Sequence, residues 1–276
     1  MLELEFAQAS DPGRVRDHNE DYLGHVAPAL PGQPQGSQAQ GSQAQTGGWL
    51  FALADGVGGQ DQGEVASRTA IETLVAGFRR APDGESYSNL LPRLVKAANT
   101  KVFETALASG PGGSSMATTV VACAFRFDRV VVCHVGDSRC YLIRHRHAEA
   151  LTRDHTVTGE QVRLGLLSAQ EAAESETRHL LSRSLGSGMF VSVDTHDHQV
   201  IPGDVLLLCS DGLHGAVTAL EMADIVASHG NLEDAVRRLV DVANQKDGSD
   251  NVSVQLIRVR SVERVGMYRG RPYKLA

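Results

Sequence analysis

Four aspartates stand where hydrophobic runs of this chain meet a turn: Asp55 in LFALADGVGG, Asp137 in VVVCHVGDSR, Asp211 in VLLLCSDGL and Asp250 in GSDNVSVQLI. A strand bounded by Asp-Gly or Asp-Asn fixes a carboxylate at the rim of a buried sheet. One such aspartate is an ordinary turn residue. Four of them crowd negative charge together, which is costly in a low dielectric unless a cation neutralises it. Carboxylates and carbonyls are hard oxygen ligands that suit Mg²⁺ or Mn²⁺, and no His or Cys pair at zinc spacing accompanies them.

Around these positions the chain alternates strand pairs with helix pairs. Residues 49–54, 118–125, 130–135, 140–144, 191–200, 205–209 and 252–260 are short and rich in Val, Leu, Ile or aromatics, and read as strands. Phe125–Arg129 and Ile201–Asp204 are tight connections, so the strands that flank each are expected to pair as antiparallel hairpins. Apolar residues at helical spacing (Ala66, Ala70, Leu74, Phe78; Leu91, Leu94, Val95, Ala98, Val102; Leu232, Val236, Leu239, Ala243) mark amphipathic helices. The architecture these elements suggest is α+β, with two sheets of paired strands faced by helices on the outside.

Composition sets bounds. A chain of 276 residues with 42% hydrophobic content can bury one substantial core as a single large domain. A net charge of −7 argues against nucleic acid as the main partner. No apolar run is long enough to span a membrane and no charged-then-apolar leader is present, so a cytoplasmic protein is expected. Cys123, Cys133, Cys140 and Cys209 lie in apolar strand-like runs and read as buried, reduced thiols.

The segment Arg14–Asp21 makes the reading specific. RVRDHNED, ADGVGGQDQGEVAS, MATTVV, VGDSRCYLI, LTRDHT, SRSLG, SDGL and SDNVSV follow one another from about Ala9 to Val259. In that order they resemble the metal-dependent serine/threonine phosphatases of the protein phosphatase 2C (PPM) family, in their compact bacterial form. The resemblance implies a four-layer α-β-β-α sandwich of two antiparallel sheets with a two-metal centre at one end. It implies a catalytic domain over residues 1–260 and a mobile flap over 154–180, for which Val162, Leu164, Leu166 and Leu167 are the expected apolar anchors.

By the same resemblance, Asp55 bridges two Mn²⁺ or Mg²⁺ ions and the carbonyl of Gly56 completes the second. Asp211 and Asp250 ligate the first, Glu20 and Asp21 hold ligands or waters around it, and Asp137 binds a possible third. Many relatives place an Asp four residues after the SDG aspartate, where this chain has Gly215. Some place a His after the DG of the bridging Asp as the proposed acid, where this chain has Val57, so the acid is unassigned. Arg16 corresponds to a guanidinium that grips the phosphoryl oxygens, and its planar fork suits that task. Arg14 is expected to face solvent. The implied reaction is hydrolysis of phosphoserine and phosphothreonine by a metal-bridging hydroxide, without a phosphoenzyme. The implied partners are phosphorylated proteins and a serine/threonine kinase, with a monomeric enzyme. The alternatives are a binuclear phosphatase of small phosphomonoesters and a phosphoprotein-binding pseudophosphatase.

Other clusters have plainer readings. His145 with His147, and His196 with His198, are expected on solvated faces. Gly56, Gly58, Gly59 and Gly63 are not followed by Lys-Ser/Thr, which excludes a P-loop. Ser114 and Ser115 lack a nucleophile-elbow context. Glu64 and Ser67 are expected to cap the helix that follows. Residues 31–48 carry a tandem Gly-Ser-Gln-Ala-Gln repeat and read as a flexible loop. Residues 261–276 form a basic tail with Arg264, Arg269, Arg271 and Lys274, and Tyr268 and Tyr273 as candidate anchors.

Overall fold

The computed structural model describes residues 2–28, 48–57, 62–82, 84–110, 116–175, 177–263, 265–268 and 271–274. The Gly-Ser-Gln-Ala-Gln repeat, Gly58, Gly59, Ser114 and Ser115 lie outside the described residues. In chain order the elements are β1 (Glu3–Asp11), β2 (Asp21–Val26), β3 (Trp49–Val57), α1 (Gln62–Arg79), α2 (Tyr87–Ala108), β4 (Ala117–Thr118), β5 (Val120–Arg126), β6 (Arg129–Val135), β7 (Arg139–Arg144) and β8 (His147–Ala150). There follow α3 (Val157–Arg163), α4 (Ala169–Glu174), β9 (Asp194–Gln199), β10 (Val205–Cys209), α5 (Asp211–His214), α6 (Ala219–Ser228), α7 (Leu232–Lys246), β11 (Val252–Ser261), β12 (Val265–Tyr268) and β13 (Arg271–Lys274).

One sheet has the order β1-β11-β10-β7-β8 and the other β2-β3-β5-β6-β9, with β4 beside β3; the strand pairs are antiparallel. Alternation along each strand decides what packs where. In β3, Phe51 and Leu53 point between the sheets, where they join Val121, Leu206, Leu208 and Ile257. Leu50, Ala52 and Ala54 point the other way, onto Ile71, Leu74 and Leu94 of α1 and α2. In the opposite sheet Leu207, Cys209 and Leu256 face Met222, Val236 and Leu239 of α6 and α7. Both faces of each sheet are buried in this way, which is why the central strands read as unbroken apolar runs. The result is helix, sheet, sheet, helix.

The Phe125–Arg129 connection is a hairpin with Arg126 opposite Arg129, and Phe127 at φ 60° turns it. The second expected hairpin is not one. The strand expected over 191–200 is the shorter β9, which pairs with β6 in one sheet, whereas β10 lies between β7 and β11 in the other. Residues 201–204 therefore carry the chain across the sandwich. Asp204, only 1% exposed, fastens that crossing: it accepts from Ile201 N (2.9 Å) and from Arg144 Nε and Nη2 (both 2.7 Å). The sequence reading missed β1, β2 and β8, whose apolar content is thin, and α6, although Thr218 and Glu221 form its capping box.

The polar stretch after Asp154 does hold two short helices, α3 and α4, but two of its four expected anchors fail: Leu164 and Leu166 are 61% and 68% exposed, whereas Val162 and Leu167 are half-buried. Its buried residues are His155, Thr156 and Thr158, at the base. There the two limbs are stitched by Val157 N to Leu180 O and Ser182 N to His155 O, each 2.8 Å. Ser67 bonds back to Glu64 O within α1 and caps nothing, while Glu64 sits in the first turn and pairs with Arg68. The four cysteines are buried and free. The backbone of β12 and β13 forms a hairpin of its own after β11. No helix among the described residues is long and apolar enough to cross a membrane.

Replacing Arg144 with Ala strands the Asp204 carboxylate in the interior. The expected loss is about 2–3 kcal/mol in urea denaturation, less than for a wholly buried pair because Arg144 is itself more than a third exposed.

Candidate metal centre

The topology gathers the acidic residues at one end of the sandwich. Asp21 opens β2 and lies opposite Asp55 near the end of β3. Asp137 follows β6, Asp211 follows β10 as the first residue of α5, and Asp250 precedes β11. Antiparallel neighbours put the end of one strand beside the start of the next, so sites far apart in sequence converge. Their backbones are fastened. Asp55 N donates to Thr119 Oγ1 (3.0 Å), and Asp55 O accepts from Thr119 N and from Thr118 Oγ1 (both 2.8 Å). Gly56 N donates to Glu20 O (3.1 Å). A Cβ on Gly56 would lie 2.2 Å from Gly63 O, and one on Gly63 would lie 2.6 Å from Cδ of Glu20, so these glycines let two chain segments and the Glu20 carboxylate close around one point.

The electrostatics follow from burial and crowding. Desolvation, then Asp21, Asp211, Asp137 and Asp250 in turn, hold the Asp55 carboxyl well above the ordinary carboxylate range. Asp21 is pushed up to about 7 by burial, against the hydrogen bonds of Ser253 and Ser210, with Asp211 and Asp250 adding to the rise. Asp137 reaches about 7 through burial and then Asp211. Asp211 is raised by burial and then Asp250, with Asp55 opposing the rise. Glu20 is raised by burial, with Arg16 opposing.

Arg16 projects from the loop between β1 and β2, half exposed, and its Nη2 lies 2.9 Å from Asp250 Oδ2. That pairing raises the guanidinium further above its usual range. Arg14 is exposed, as expected. On the other side a cleft of about 390 Å³ is lined by Asp137, Asp154, Arg178, His179, Asp211 and His214, with Gly215 at its wall. Burial holds His214 down near 4, and its neutral ring donates from Nε2 to Asp137 O (3.0 Å). Val57 is 43% exposed.

Residues 32–256 match the protein phosphatase 2C family. The chain belongs to that family. It is 33% identical over 265 residues to the serine/threonine phosphatase stp of Listeria welshimeri, covering 95% of this chain and 96% of that one. The solved serine/threonine phosphatase PstP/Ppp of Mycobacterium tuberculosis is 30% identical, with a TM-score of 0.79 over 94% of this chain and all of the other. A structure of the PstP catalytic domain in complex with two manganese ions superposes with a TM-score of 0.77, at 30% identity, over 95% of this chain and all of that one. These relatives carry the expected α-β-β-α architecture, and phosphatases of this family depend on metal.

The residues of this protein phosphatase 2C chain fit such a group. Asp21 Oδ1 is buried without a hydrogen-bond partner, next to carboxyls whose pKa values burial and mutual repulsion raise. Hard oxygen donors of this kind call for a divalent cation. Among the described residues, the one group of three whose ligand atoms lie within 4.8 Å of one another is a different cluster, His134, His155 and Asp194. Its rings stack at 4.6 Å with planes only 15° apart, and one ion cannot lie in both ring planes. His155 Nδ1 accepts from Gly136 N (3.1 Å), which leaves the ring proton on Nε2, 3.4 Å from Asp194 Oδ2. This cluster is a hydrogen-bonded support under the base of the 154–180 segment. The other paired histidines read as expected in part: His196 is exposed and His198 half-buried, while His145 sits in a turn at φ 49°. Sequence reasoning did not single out Thr119, Ser210, Ser253, His214 or Asn251; of these, Ser210 and Asn251 sit inside the SDG and SDN motifs.

The raised carboxyls set a pH dependence for the metal-free protein. Asp21 moves from 3.8 to about 7 on folding, so the folded state binds more protons than the unfolded one across that window. The favourable difference is complete below about 4 and is lost as pH rises through 7. Without metal, the melting temperature is expected to fall between pH 5 and pH 8, and Asp21→Asn should flatten the fall. Saturating Mn²⁺ should abolish it and release protons on binding, measurable by calorimetry in buffers of different ionisation enthalpy.

Proposed function

We propose that the chain hydrolyses phosphoserine and phosphothreonine in proteins, with Asp55, Gly56, Asp211 and Asp250 holding two divalent ions, and Glu20 and Asp21 completing the surroundings. The observation that carries this reading is the convergence of Asp21, Asp55, Asp211 and Asp250 at one end of the sandwich, with Asp21, Asp55 and Asp211 raised by burial and crowding, in a chain whose family relatives include a two-manganese phosphatase structure. When bound, two such ions generate a strong nucleophile from water at neutral pH and stabilise charge on attacking and leaving oxygens. The protein's residues do the rest. Asp55 is held by its backbone, opposite Asp21 in the pairing of β2 with β3. Arg16 offers a guanidinium of which, among the described residues, Nη2 alone is hydrogen-bonded, with N–H groups left to grip phosphoryl oxygens. One water enters, the bond from phosphorus to the serine or threonine oxygen breaks, and phosphate and the free alcohol leave, with no covalent phosphoenzyme.

Asp137 lines the cleft together with Gly215, where many relatives place a further Asp, and the proposal rests on two ions. The family name implies phosphoprotein substrates. That the opposing enzyme is a serine/threonine kinase, that the protein acts as a monomer in the cytoplasm, that residues 1–260 are the catalytic domain, that 154–180 acts as a mobile flap over the cleft and that 261–276 is a separate tail belong to the same proposal. Support for the flap comes from its stitched base, its exposed Leu164 and Leu166, and its contribution of Arg178 and His179 to the cleft.

The test is turnover of a phosphothreonine peptide against a panel of small phosphate esters, with Mn²⁺ and with Mg²⁺. The peptide should be preferred, and oxygen-18 from solvent should enter the released phosphate once per turnover. Preference for small esters would favour the phosphomonoesterase alternative, and no turnover with intact phosphopeptide binding would favour the pseudophosphatase. Asp55→Ala should fold and lose turnover on the order of 10³-fold or more, as should Asp211→Asn and Asp250→Asn. Arg16→Ala should act chiefly on KM for the peptide.

A further inference from the structure

The loop that carries Arg16 has no regular secondary structure between Pro12 and Glu20, so its shape must come from tethers. Three of them converge on one side chain. Asn251, 6% exposed, donates from Nδ2 to Pro12 O and to His18 O, both at 2.9 Å, and accepts at Oδ1 from Glu20 N at 2.8 Å. Its backbone N–H donates to Asp250 Oδ1 at 2.9 Å, while Arg16 holds the other oxygen of that carboxylate. A primary amide has two donors and an acceptor in one plane, and here each is used, with the bonded carbonyls on either side of Arg16. The neighbouring Gly13 fits only because it lacks a Cβ, which would lie 2.2 Å from Asp250 O; at φ +81° this turn suits glycine.

We infer that Asn251 is a positioning residue that sets two functions from one point: its donors fix the phosphate-gripping loop around Arg16, and its acceptor fixes the Glu20–Asp21 corner beside the metal ions. It touches neither substrate nor metal. The two roles separate by atom. Replacing Asn251 with Asp keeps the acceptor for Glu20 N–H but puts a carboxylate oxygen against the Pro12 and His18 carbonyls. Replacing it with Ala removes all three bonds. Other tethers remain in either case: Arg14 N to Gly248 O (2.8 Å), Asn19 Nδ2 to Ser10 Oγ (2.8 Å) and Gly13 N to Asp11 Oδ1 (2.9 Å).

The inference rests on the proposed role of Arg16, and the experiment separates the two. In the full-length protein, Asn251→Ala and Asn251→Asp are measured alone and with Arg16→Ala for peptide KM, kcat, Mn²⁺ affinity by calorimetry and melting temperature. Asn251→Ala should raise KM about tenfold in the Arg16 background, the loss expected when hydrogen bonds of this kind are removed. It should add almost nothing in the Arg16→Ala background, because the loop then has no guanidinium to place. It should also weaken Mn²⁺ binding severalfold in both backgrounds. Asn251→Asp should raise KM similarly while binding Mn²⁺ at least as tightly as the parent. Additive KM effects in the double variant, or losses of kcat that follow melting temperature with KM unchanged, would overturn the inference. Were the parent protein inactive on phosphopeptides, the role of Arg16 would fall first. Amide exchange at Glu20, which needs no substrate, would then decide the tether: faster exchange in Asn251→Ala but not in Asn251→Asp upholds it, and unchanged exchange in both overturns it.

Discussion

Carboxylates gathered where water is scarce impose the condition that the rest of this molecule meets. Asp21, Asp55, Asp137 and Asp211 are raised in pKa by their own burial before any neighbour is counted, and then by one another. Left to relax, such groups would move apart or take up protons. The sandwich prevents the first by placing each at a strand end whose register is set by an apolar face. Moving Asp55 away from Asp21 would require β3 to slip against β2, which would turn Phe51 and Leu53 out of the inter-sheet core. The second remains open to a metal-free protein, and a divalent cation is what makes the ionised state favourable.

The centre spans both sheets, and hydroxyl groups join its halves. Ser210 Oγ, at the end of β10, donates to Asp21 Oδ2 at 2.8 Å and accepts from Ser253 N at 2.9 Å; Ser253 Oγ in turn meets Ser10 Oγ at 2.7 Å. In the other sheet Thr119 Oγ1 holds Asp55 N and lies 2.7 Å from Ser138 Oγ, the residue after Asp137. A hydroxyl can donate or accept, so this chain of contacts serves Asp21 whether it is protonated or ionised. A lysine or arginine in the same place would settle the charge permanently and leave a cation with less to neutralise.

How much of this could be read from the sequence depended on how local the signal was. The central strands and α1, α2 and α7 were legible because both faces of β3, β5, β10 and β11 are buried and the helices show one apolar stripe each. The acidic positions were legible because Asp-Gly and Asp-Asn punctuate those strands. Edge and near-edge strands were not: β8, with the sequence HAEA, is mostly exposed and carries no apolar run. The crossing at residues 201–204 looked like any tight turn, because a Pro-Gly-Asp sequence does not say in which sheet the next strand will find its partner. The 154–180 segment misled for a physical reason. Leu164, Leu166 and Leu180 are held in the open, and its attachment is made by hydrogen bonds and ion pairs, such as Arg139 to Asp154 and Arg183 to Glu160 and Asp194, that leave no hydrophobic pattern.

Arg16 shows why partial exposure is useful at such a centre. Its side chain is 51% exposed and that of Asp250 is 37% exposed, so their pairing in water-accessible surroundings is worth about 1 kcal/mol or less. Under the proposed roles, a tighter, buried pair would remove Asp250 from the pool of metal ligands and the guanidinium from the pool of anion binders. With a weak pair, Asp250 can turn to a cation, and the guanidinium, kept nearby by its loop, can turn to a phosphoryl group. The loop must therefore be rigid while the arginine is free to exchange partners. The structure separates those demands, giving rigidity to backbone bonds made by a buried amide and exchange to a solvent-facing ion pair.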